Sequence, residues 1–144
     1  MPDLYPKNIG FDHETLQELE TGILNNFHRT LESKRINDDR LRERFRVFCF
    51  KHDLEALILA AESELMNVLS VDTLPITWRR PIEDQNHNVP PKRIVEQIFD
   101  RYGKKYKGSV DAPKILGLGS VRYQDIAELC PQAFRPFVEF LENS

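Results

Sequence analysis

The chain has 144 residues, a formal charge of -3, 40% hydrophobic residues and 30% charged residues. That length suits one domain with a buried core, and the near balance of charge excludes a strong overall bias toward polyanions. No run approaches the roughly 20 apolar residues that span a bilayer, and the opening MPDLYPKNIGFD lacks the apolar centre of a signal peptide.

Residues 1–11 carry Pro2, Pro6 and Gly10, which predicts an extended arm. Asp12 is placed to cap a helix. In the sequence that follows, Leu16, Leu19, Ile23, Leu24, Phe27 and Leu31 recur at helical spacing, so an amphipathic helix is expected there. From Asp38 to about Leu69 there is neither Gly nor Pro, and the composition favours one long helix. Projected at about 100° per residue, Leu41, Phe45, Phe48 and His52 fall on one side with Leu59. Val47, Phe50, Leu54, Leu57, Ile58, Ala61, Leu65 and Val68 fall nearly opposite. A helix apolar on two sides must be covered on two sides, which predicts the centre of a bundle or a face against another subunit.

Residues 70–90 hold Pro75, Pro81 and Pro90 without a helical period, a long loop with one possible short strand at LPITW. Pro90 and Pro91 suit the first turn of the next helix, with Ile94, Val95, Ile98, Phe99, Tyr102 and Tyr106 along one side. SVDAPKILGLGS is expected as a connector. Ser120 is placed to cap a short helix in VRYQDIAELC, and Pro131 to start a last one carrying Phe134, Phe137, Val138 and Leu141, bent or shortened by Pro136. The predicted fold is mainly α: a single helical domain, bundled around a long central helix at about 38–69, with an extended arm and a long loop.

Residues 73–115 hold nine Lys or Arg against five Asp or Glu, net +4, whereas the first 72 residues carry -5 and the remainder -2. The middle third is basic. Cys49 and Cys130 stand far apart outside any CxxC or zinc spacing, as expected of a reduced, cytoplasmic protein. The four histidines, His13, His28, His52 and His87, form no metal-binding motif, so neither metal nor other cofactor is expected. GLGS at 117–120 lacks the further residues of a dinucleotide fingerprint or a P-loop and reads as a turn.

Three functional readings follow. Arg46 and His52 have a spacing similar to the R-x4-6-H motif of HEPN-domain ribonucleases, which are all-helical and usually assemble the pair across a dimer. That resemblance implies proton transfer by His52 and phosphate stabilisation by Arg46. It covers two residues, and Val47 stands where that family commonly has a polar residue. A second reading is a nucleic-acid-binding regulator using Lys92, Arg93, Arg101, Lys104, Lys105 and Lys107. The third is the reading these features favour: a non-enzymatic assembly or adaptor protein that contacts other subunits as a homo- or hetero-oligomer. Trp78, Arg79 and Arg80 of the loop and Tyr5 of the arm are its candidate contacts, since Trp and Arg dominate interface hot spots. The pattern of LILAAESELMNVL, a loop and VPPKRIVEQIF resembles small helical phage neck or head-to-tail connectors. It implies a virion component assembled in the cytoplasm.

Overall fold

The computed structural model describes residues 10–144. Tyr5 and nearly all of the expected arm lie outside the described residues. The described chain is mainly helical, with eight α-helices, and divides into two compact units, one ending at Cys49 and the other spanning Phe50–Ser144.

In the first unit, α1 spans Leu16–Ser33 and α2 spans Asp39–Arg44. The cap of α1 is Thr15, three residues beyond Asp12, because Glu18 completes a reciprocal capping box. The Thr15 hydroxyl accepts from the Glu18 N–H at 3.2 Å, while the Glu18 carboxylate accepts from the Thr15 and Glu14 amides at 3.0 and 2.7 Å. These hydrogen bonds, the Glu14 amide first, hold Glu18 below the usual carboxylate range. Phe11 folds back over Gly22 so closely that a Cβ there would stand 2.1 Å from its ring. Asp38 caps α2 by accepting from the Leu41 N–H at 3.1 Å.

Residues 38–69 do not form one long helix. α2 stops at Phe45, whose backbone turns extended, and the segment from Phe45 to Phe50 is not helical. Two interactions within the first unit hold it there. The Phe45 ring stacks on Phe27 with centroids 3.8 Å apart, and the Cys49 N–H donates to Glu20 Oε1 at 3.0 Å. The local sequence RFRVFCF yields readily, since Phe and Val lose rotamer freedom in a helix. The absence of Gly and Pro permits a helix without enforcing one.

In the second unit the remaining part of that segment forms α3, Glu55–Ala60, and α4, Glu62–Leu69, interrupted at Ala61. Then come α5, Pro91–Arg101, α6, Gly108–Leu116, α7, Tyr123–Leu129, and α8, Phe134–Glu142. α3 takes the central place: it packs against α4, α5, α6, α7 and a single 3-10 turn at Ile82–Asp84. Ile58, Leu59, Leu65, Ile82, Val95, Ile98 and Ile115 are fully buried in the core.

The expected connector SVDAPKILGLGS is largely helical, as α6. Asp111 favours this by accepting from the Lys107 N–H at 2.6 Å, and burial of Ile115 outweighs the Gly and Pro residues. α7 begins beyond Ser120, with Arg122 as its cap. Pro136 sits in the first turn of α8, where no backbone donor is needed. That start is held from a distance by buried Glu83, whose carboxylate accepts from the amides of Gln132, Ala133 and Phe134 at 2.6, 2.8 and 3.4 Å. Next to it, Asp84 Oδ1 accepts from Gln132 Nε2 at 2.8 Å and Lys51 Nζ at 3.0 Å. The Gln132 hydrogen bond, then Lys51, keeps the Asp84 carboxyl below its ordinary range.

Candidate interaction site around Trp78

α4 ends on Ser70 in the left-handed region (φ 59), with the Val71 N–H returning to the Met66 carbonyl at 3.0 Å, the geometry of a Schellman turn. Exposure then alternates residue by residue from Leu74 to Arg79. Leu74, Ile76 and Trp78 are half-buried against the core, while Pro75, Thr77 and Arg79 are exposed. A period of two is that of a strand. No strand occurs among the described residues, because no second strand lies alongside LPITW to pair with it.

Both ends of this segment are pinned. At its start the Tyr102 hydroxyl donates to the Thr73 carbonyl at 2.7 Å. At its end the buried carboxamide of Gln85 accepts from the Arg79 N–H at 3.1 Å and donates to the Arg79 carbonyl at 2.8 Å and the Ile82 carbonyl at 2.9 Å. Gln85 thus does for Arg79 what a neighbouring strand would do. Among the described residues, no intrachain hydrogen bond reaches the backbone N–H or C=O of Ile76, Thr77 or Trp78.

A groove of about 370 Å³ lies between this segment, the following turn and α5. Ile76, Trp78, Val89 and Ile94 give it an apolar lining, with Thr77, Arg79 and the carboxamides of Gln85, Asn86 and Gln97 adding polar groups. No carboxylate lines it. The Trp78 indole N–H is buried and has no acceptor among the described residues, a deficit of about 1–3 kcal/mol for such a group. Arg79 is exposed, and Arg80 pairs with Glu62 at 3.1 Å. Both partners of that pair are roughly half exposed, so its worth is a few tenths of a kcal/mol.

The remaining candidates are dispersed. Arg46 is exposed, and its guanidinium donates to the Phe45 carbonyl at 3.1 Å. His52 is buried, and neither ring nitrogen reaches a hydrogen-bond partner among the described residues, although the Gln85 backbone is close enough to favour its protonated form weakly. Burial, followed by the charge of Lys51, pushes the His52 pKa below the usual imidazole value. The helix expected to carry Arg46 and His52 is absent at both: each lies in the non-helical stretch between α2 and α3. Cys49 and Cys130 are both raised by burial, Cys130 to about 12.

Lys92, Arg93 and Arg101 are exposed on α5, where Glu96 and Asp100 share the same exposed face. Lys104, Lys105 and Lys107 are exposed in the turn after α5, and the Lys104 ammonium reaches the Leu69 carbonyl at the end of α4 at 3.4 Å. Among the described residues, no three His, Cys, Asp or Glu side chains converge on one point. The Gln85 clamp and the Glu83 cap have no local sequence signal: both are polar residues of a polar loop whose partners come from the fold.

The chain belongs to the family described as a domain of unknown function, DUF4276, which it matches over residues 1–142. No curated protein and no solved structure matches it.

Proposed function

We propose that the chain is a non-enzymatic helical adaptor, making protein–protein contacts within a larger assembly through the Trp78 groove. The observation that carries this reading is a concave, half-apolar surface built around the single tryptophan, with Arg79 and carboxamides in its lining and held in shape by Gln85. Interface hot spots combine these features: an aromatic anchor, an arginine and a desolvated centre surrounded by polar groups.

Solution mass by light scattering, with the ultraviolet absorbance ratio recorded at low and high salt, tests the proposal. The expected result is a salt-stable oligomer free of nucleic acid, whose mass falls in Trp78→Ala. An unchanged mass in that variant counts against the groove. A monomer that carries nucleic acid at low salt and sheds it at high salt replaces this reading with binding by the Lys104, Lys105 and Lys107 turn.

A further inference from the structure

We infer that the segment Ile76–Arg79 is an unpaired edge strand, built to accept an extended, acidic peptide segment of a partner protein by strand addition. This rests on the reading of the Trp78 groove as a protein-contact site and specifies what occupies it. Three observations carry it. Side-chain exposure alternates with the period of a strand while the inward residues pack on the core, which is the side-chain periodicity that pairing requires. The N–H and C=O groups of Ile76, Thr77 and Trp78 take part in no hydrogen bond within the described chain, whereas exposed strand edges are ordinarily protected. Lastly, Gln85 already satisfies both backbone groups of Arg79 from the groove side.

Strand parity then fixes the register. In a strand, the N–H and C=O of one residue point to the same side, and the next residue's point to the other. Thr77 therefore presents its backbone groups to the side on which Gln85 meets Arg79, that of the groove. An incoming segment would exchange two hydrogen bonds with Thr77 and donate one to the Pro75 carbonyl. Pro75 has no N–H, which ends the pairing there and keeps the added strand short.

The chemistry of the occupant follows from the lining. Apolar side chains on alternate residues would enter between Trp78, Val89 and Ile94. The groove holds Arg79 and no carboxylate, and α5 begins beside it with exposed Lys92 and Arg93 in a first turn that contains no acid. Carboxylates on the intervening positions complement that charge, whereas a basic segment would be repelled.

Short random peptides displayed on phage and panned against the folded chain provide the probe. Selected sequences, synthesised and titrated by the emission of Trp78, are then N-methylated one residue at a time. The expected binders alternate apolar and acidic residues. N-methylation at the position opposite Thr77 should weaken binding at least tenfold, with little effect at the adjacent positions. Thr77→Pro should give the same loss with unchanged far-ultraviolet dichroism, and Thr77→Ala should bind like the parent. Recovery of no binder, of basic binders, or of binders indifferent to N-methylation at every position overturns strand addition. The adaptor reading fails separately, when Trp78→Ala leaves the solution mass unchanged.

Discussion

Replacing Glu83 tests how the second unit is held together. Its carboxylate accepts from the Gln132 and Ala133 amides at 2.6 and 2.8 Å, and more distantly from Phe134, while the residue is only 4% exposed. Hydrogen bonds to a charged group contribute about 1.5–3 kcal/mol each, and a negative charge at a helix N-terminus adds about 0.3–1 kcal/mol. The bonds share one carboxylate and do not add fully, so Glu83→Ala should lose about 3–5 kcal/mol. Glu83→Gln keeps one acceptor oxygen and turns an amide N–H₂ toward backbone donors, so it should lose about 2 kcal/mol. For a unit of this size, each kcal/mol lowers Tm by roughly 4–8 °C. Urea unfolding followed by Trp78 emission reads this directly, because the only tryptophan lies in the same unit. The amides of Gln132 and Ala133 should also exchange with solvent faster in Glu83→Gln. If both variants unfold within about 0.5 kcal/mol of the parent, a typical surface effect, the remote cap does not stabilise α8.

Other expectations concern the loop, the first unit and pH. Gln85→Leu leaves the Arg79 backbone unpaired and should cost about 1–3 kcal/mol, with a shift in Trp78 emission; an unchanged midpoint would show that the clamp is dispensable. Gly22→Ala would ordinarily gain about 1 kcal/mol in a helix, but its Cβ meets the Phe11 ring. The single variant should therefore show no gain in melting temperature by dichroism, and adding Phe11→Ala should restore it relative to Phe11→Ala alone. His52 is held below the usual imidazole pKa by burial and by Lys51. The unfolded chain takes up its proton near the ordinary value of about 6.5, while the folded chain resists. Stability is thus fully present above that pH and declines as pH falls toward the folded value. In His52→Leu the slope between neutral and mildly acidic pH should flatten; an identical slope would assign the effect to other groups.

The sequence by itself determined the helical character of the chain and the helices whose apolar spacing and end signals agree. α1 has its stripe from Leu16 to Leu31, and α5 has Pro91 at its first position with Ile94, Val95, Ile98 and Phe99 buried. It also singled out Trp78 and the LPITW segment, since a possible short strand and a lone tryptophan stand out in a polar, proline-rich loop. Tertiary structure alone decided the fate of residues 38–69. Helix propensity differs by only a few tenths of a kcal/mol per residue, less than is gained by stacking Phe45 on Phe27 and bonding the Cys49 amide to Glu20. The same competition made a helix of SVDAPKILG, where Ile115 is buried despite Gly108 and Pro113. The site depended on it most. Gln85 reaches the Arg79 backbone, and Glu83 reaches the start of α8 some 49 residues away. A hydrogen bond between groups so distant along the chain has no periodicity or local motif, so only the folded arrangement could reveal it.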